Sequence, residues 1–168
     1  AGEIGDLQQK LDRLADAAAE SIDLDALLAL AAQAPEISDT LNLPPAPKTK
    51  VKIALARDEA FCFYYESSLD ILRARGAEIV EFTPLHDEKL PRGVAALYLG
   101  GGYPELHGQV LAENTEMREA IRAAVLGGMP TMAECGGFLY LHRTLQEQGG
   151  HPWLMAGVLD AEGYPTGK

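Results

Sequence analysis

Cys135 is the residue best placed for chemistry. It stands in Ala133-Glu134-Cys135-Gly136-Gly137, after a run that reads as a strand and before one that reads as a helix. A sharp strand-to-helix turn with small neighbours holds a nucleophile clear of its own backbone. Gly136 leaves its amide free to face a developing oxyanion. A helix over 137–145 would turn its positive end toward the sulfur and favour the thiolate. The competing reading is a buried structural cysteine. A second tract, Leu99-Gly100-Gly101-Gly102-Tyr103-Pro104-Glu105, follows another strand. It has neither dinucleotide-binding spacing nor the Lys-Ser/Thr of a phosphate loop. Triple glycine lets backbone amides approach a ligand closely. Opposite the elbow, the amides of Gly101 and Gly102 would join that of Gly136 in an oxyanion hole. The competing reading is a plain turn.

Other candidates surround these two. Arg57, Asp58 and the aromatic tract Phe61 to Tyr65 end the first strand, and read as a face toward a ligand or partner. The alternative for Phe61 and Phe63 is core packing. Cys62 reads as a buried thiol. Tyr103, Glu105 and His107 follow the glycines and are candidates for substrate or interface contacts. His86, His107, His142 and His151 show no zinc spacing with the two cysteines, so no metal site is expected. His142 lies seven residues beyond Cys135, about 10 Å along a continuous helix. The run from Asp160 to Lys168 imitates a phosphate loop, but its glycines are one residue too close.

The elements that must position these groups alternate. VKIALA (51–56), AEIVEF (77–82), VAALYL (94–99) and PTMAE (130–134) read as strands. Between them, one helix runs through Leu69, Ile71 and Leu72 and stops at Gly76. Another, from about Asn114 to Leu126, puts Met117, Ile121, Ala124 and Val125 on one face. Such alternation predicts an α/β fold with a mainly parallel sheet covered by helices on both faces. Sites in such sheets lie at the carboxyl ends of strands. The tract 57–65, the triple glycine and Cys135 all fall there. Ahead of this pattern are two short helices. Leu7, Leu11, Leu14 and Ala18 share one helical face, and Asp23 can cap a second helix carrying Leu24, Leu27, Leu28 and Ala31. They need another surface to bury these faces. Residues 35–50 include Pro44, Pro45 and Pro47 and read as a semi-extended linker. The expected organisation is a helical tail over 1–34, the linker over 35–50 and one domain over 51–168.

Composition bounds the function. The 168 residues carry a net charge of −11, with nine acids against two bases in residues 1–47. Phosphate neutralisation needs clustered Lys and Arg, so nucleic acid is an unexpected partner. No apolar run reaches 18 residues, so no spanning helix is expected. Two cysteines in 168 residues make no disulfide framework, which points to a reducing, cytoplasmic setting. Ala1 with no secretory signal after it reads as an excised or processed start.

The segments IALARDEAFCFYY (53–65), LYLGGGYPELH (97–107) and AECGGFLYL (133–141) together resemble the cobyrinate a,c-diamide synthase family, which includes hydrogenobyrinate and related tetrapyrrole diamide synthases. The likeness covers about residues 51–160 and belongs to the glutamine amidotransferase part, in the class I branch shared with cobyric acid synthases. It implies a flavodoxin-like fold and L-glutamine as substrate. Cys135 would attack the side-chain amide, form a glutamyl thioester and release ammonia. The first 47 residues resemble the last helices and linker of an ATP-dependent synthetase domain. That domain would activate the a and c acetates of the corrin (cobyrinate or hydrogenobyrinate) with ATP and Mg²⁺, so no cofactor is expected on these residues themselves. The family's general base is a histidine beyond residue 160, and none of the four histidines here matches it. The resemblance therefore implies a fragment, truncated at its C-terminus and nearly inactive alone. A homodimer is a further expectation. Two other readings stay open: another class I-like or PfpI-like cysteine hydrolase, and a non-catalytic interaction module with an inert Cys135.

Overall fold

The computed structural model describes residues 6–36, 45, 47–48, 50–147 and 150–166. The chain divides into two compact units, Ala1–Leu43 and Pro44–Lys168. In the first unit, α1 (Leu7–Ser21) and α2 (Leu24–Ala31) form as their apolar periodicity predicts. Asp23 caps α2 by accepting from the Ala26 amide at 2.9 Å. No residue of either helix is buried, and Leu14 and Leu28 are two-thirds exposed. The linker expected over 35–50 falls mostly outside the described residues.

The second unit is built on four parallel strands: β1 (Val51–Ala56), β2 (Ala77–Phe82), β3 (Ala96–Leu99) and β4 (Thr131–Ala133), in the order β2-β1-β3-β4. Helix α3 (Glu66–Ala74) joins β1 to β2. The chain then crosses back to lay β3 on the other side of β1. A turn of 3₁₀-helix (Pro104–His107), α4 (Gly108–Glu113) and α5 (Thr115–Leu126) lead on to β4. Opposite crossover directions place the helices on opposite faces of the sheet. Alternation along β1 and β3 shows this. Leu55 and Tyr98 pack with Leu69 of α3. Ala54, Ala56, Leu97 and Leu99 pack with Met117 and Ile121 of α5 in the larger core. Burying each such leucine or isoleucine contributes about 1.5–3 kcal/mol. The reversal of strand order falls between β1 and β3, so the loops after these two strands bracket the crevice where α/β sheets bind ligands.

Two strands are shorter than their sequence runs. β3 begins at Ala96 rather than Val94, and β4 covers three residues. The larger correction follows Cys135. Helix α6 spans only Gly136–Tyr140, not 137–145. The chain turns over Leu141–Arg143 and enters β5 (Thr144–Gln146), which pairs with β6 (Pro152–Leu154) and β7 (Glu162–Gly163) in a second small sheet. Backbone bonds from Met155 to Arg143 and from Gly157 to His142 satisfy groups that a longer helix would have used internally. Leu145 is buried in β5, and its apolar spacing fits a helical face equally well, so the spacing could not decide between them. His142 therefore leaves the helix. It is buried, with Nδ1 2.9 Å from the Phe138 carbonyl. No helix among the described residues is long and apolar enough to cross a membrane.

Candidate active site

Cys135 has φ 50° and ψ −117°, and is the one non-glycine residue with positive φ among the described residues. The Gly137 amide donates to the Glu134 carbonyl at 3.0 Å, closing a turn with Cys135 at its first central position. These angles are those of a type II′ turn, where glycine is preferred. A side chain held there costs about 1–3 kcal/mol, and such strain gathers at functional sites. The next two residues explain how the turn is kept. A Cβ on Gly137 would lie 2.1 Å from the Leu99 carbonyl oxygen, and one on Gly136 would lie 2.8 Å from that of Gly102. The Gly137 amide also donates to Gly100 at 2.8 Å, and the Glu134 amide to Leu99 at 3.0 Å. The elbow after β4 and the glycine loop after β3 thus lock together backbone to backbone.

The loop after β1 closes the third side. Asp58 holds it by accepting from the amides of Ala60, Phe61 and Leu85. Burial raises the Asp58 carboxyl above its ordinary value despite these three donors. The Phe63 amide donates to the Gly101 carbonyl at 3.0 Å. The Tyr64 hydroxyl donates to the Ala56 carbonyl and accepts from the Gly100 amide at 2.9 Å. Its ring fills the space a Gly100 side chain would need. Burial pushes the Tyr64 phenol well above its ordinary value. Gly101 thus sits in an antiparallel bridge with Phe63, while the Gly136 amide donates to no other backbone group among the described residues.

These loops enclose an open cleft of about 480 Å³. Gly101, Glu134 and Cys135 form one wall, and the chain from Cys62 to Tyr65 forms the other. Cys62 was expected to be buried; it is exposed in the cleft, as is Cys135. Phe61 enters the core at 0% exposure, while Phe63, past the bend, is left at 53%. Of the remaining candidates, Gly102 and Gly136 lie buried behind the cleft. Tyr103 stands at the rim, edge-on to Phe63 with centroids 5.4 Å apart. Glu105 and His107 are half-buried in the 3₁₀ turn and do not line the cleft. Arg57 also stays outside it, 3.2 Å from Glu81, 3.7 Å from Glu66 and 5.2 Å above the Tyr64 ring. No histidine lines the cleft.

Glu134 was not singled out from the sequence, although it sits in the quoted motif. The Tyr98 hydroxyl donates to its Oε1 at 2.5 Å. The Tyr98 ring is 6% exposed, and burial first, then the Glu134 carboxylate, pushes its phenol up to about 12.

Residues 52–168 match the family model of the CobB/CobQ-like glutamine amidotransferase domain. Among curated relatives, the chain is 42% identical over 166 residues to the cobyrinate a,c-diamide synthase of Caldanaerobacter subterraneus subsp. tengcongensis, covering 99% of this chain and 36% of that protein. It is 44% identical over 162 residues to the hydrogenobyrinate a,c-diamide synthase of Stutzerimonas stutzeri, covering 96% of this chain and 36% of that protein. The chain thus spans about a third of the length of these relatives. A solved structure of a putative peptidase E from Listeria monocytogenes EGD-e superposes with TM-score 0.51 at 14% identity, over 66% of this chain and 63% of that one, and shares the fold.

Proposed function

This chain belongs to the CobB/CobQ-like glutamine amidotransferase domain family, and from that membership we propose that it hydrolyses L-glutamine for a corrin a,c-diamide synthase. The observation that carries the proposal is the strained Cys135 at a strand-to-helix turn, facing a cleft, with the Gly136 amide next to it left without a backbone partner among the described residues. The Cys135 thiolate attacks the side-chain amide carbon of glutamine. Charge develops on the amide oxygen, and the amides of Gly101 and Gly136, with Gly102 behind them, receive it. The carbon–nitrogen bond then breaks. The nitrogen takes up a proton and leaves as ammonia, and a glutamyl thioester remains. Water releases glutamate and restores the thiol.

The proton transfers need a base and acid at hydrogen-bond reach of the sulfur. With no histidine lining the cleft, we assign that role to a histidine outside these 168 residues. The described residues contain no group of three or more His, Cys, Asp or Glu that could hold a metal ion. We place activation of the corrin carboxylates, with ATP and Mg²⁺, in the part of the synthase that the relatives have beyond this stretch.

A diazo-ketone analogue of glutamine tests the site directly. Incubated with the 168-residue chain, it should give a slow adduct that peptide mass spectrometry maps to Cys135. An adduct only on Cys62, or none on folded protein, would sink the amidotransferase reading.

A further inference from the structure

Resting on the glutaminase reading, we propose that Glu134 recognises the α-ammonium group of glutamine and so selects an amino acid over a plain acyl amide. Four observations meet in this residue. Glu134 is the one formally charged side chain lining the cleft; the other walls are aromatic rings, glycine and two thiols. No lysine, arginine or histidine among the described residues pairs with it. It immediately precedes Cys135, so the turn that presents the sulfur also sets the separation between the reacting atom and the charge. Its Oε1 is fixed by the hydroxyl of the buried Tyr98, which leaves Oε2 unengaged among the described residues.

The chemistry of such a wall selects its ligand. An unpaired carboxylate beside exposed aromatic faces favours a compact cation, which it meets through charge and through the rings of Phe63 and Tyr65. Glutamine carries an ammonium at a fixed number of bonds from the amide carbon that Cys135 attacks. A carboxylate in the sequence position next to the nucleophile can therefore register that distance. Tyr98 prevents the carboxylate from swinging away, so it is a positioning residue for Glu134.

The test compares two substrates in the full-length synthase: glutamine, and 5-amino-5-oxopentanoate, which lacks only the α-amino group. Glu134→Gln should raise KM for glutamine about 10–100-fold, the usual worth of a charge-assisted hydrogen bond, and leave kcat within about threefold. Its turnover of the deaminated analogue should match that of the unmodified enzyme. Glu134→Asp should keep part of the preference, and Tyr98→Phe should lose part of it. An unchanged thermal midpoint and the retained turnover of the deaminated analogue show that the Glu134→Gln site is folded. Unchanged KM for glutamine would overturn the proposal. So would an equal fall in kcat on both substrates with an altered pH profile, which would make Glu134 part of the proton chemistry. If the unmodified enzyme used ammonia but released no glutamate from glutamine, the glutaminase reading would fall and take this proposal with it.

Discussion

Cys135 and Cys62 share one cleft, so their reactivities can be compared without a difference in access. Cys135 stands at a strained turn next to the Gly136 amide, which has no backbone partner among the described residues, and Cys62 lies in the loop after β1. Iodoacetamide should therefore alkylate Cys135 faster at every pH between 6 and 9 (roughly the range in which thiols titrate). Peptide mapping at early times checks this, and faster loss of Cys62 would place the nucleophile wrongly. Much of this residue was legible in sequence, because a strand, a cysteine and two glycines are all local. Cys62 was not legible. Its neighbours Phe61 and Phe63 make the tract look like core, and only the bridge from Phe63 to Gly101 turns it outward. Glu134 was hidden for a different reason: its anchor, Tyr98, is 36 residues away and comes near only through the β3–β4 register. Tyr98 also carries a pH signature. Its phenol is held up to about 12, against 10.0 ordinarily, so the neutral form is favoured by folding. That stability is fully present below pH 10 and is lost as the pH rises toward 12. Thermal midpoints of the unmodified chain should fall more steeply over this window than those of Tyr98→Phe; parallel curves would contradict the assignment.

At the scale of elements, the site is a contact between two loops with no room between them. Gly137→Ala puts a methyl 2.1 Å from the Leu99 carbonyl, which belongs to backbone of a central strand and cannot move aside. The expected cost is about 3 kcal/mol or more, or failure to fold. Gly93→Ala is the matched control. Its φ of +74° strains an alanine, but nothing lies within 4 Å, so the cost should be only about 1–2 kcal/mol. Urea midpoints of the two variants check the contrast, and equal losses would mean that the loop contact at Gly137 relaxes to admit the methyl. The strands of the main sheet were legible from apolar runs and β-branched residues, since β1 and β2 keep the limits their runs suggest. The second sheet was not. Phe138, Leu139 and Leu145 fit a helical face as well as they fit α6 followed by β5. Long-range backbone pairing with residues 152–163 decided the matter.

At the scale of the molecule, the chain matches about a third of the relatives it resembles. An elbow thiol without a base in reach should turn over slowly, because losing a general acid–base typically costs about 10²–10⁴-fold. The 168-residue chain alone should release only a trace of glutamate, while a protein of the relatives' full length should release it readily. Robust turnover by the short chain would bring His86, His107, His142 or His151 back as the base.

Whether Cys135 draws nitrogen from glutamine is decided by nitrogen-donor exchange in a protein of the relatives' full length. Amide formation is measured on the corrin with glutamine or with free ammonia as donor, in the unmodified enzyme and in Cys135→Ala. The predicted result is that Cys135→Ala loses glutamine-dependent amidation and glutamate release but keeps amidation from ammonia. Retention of glutamine-dependent amidation by Cys135→Ala would contradict it.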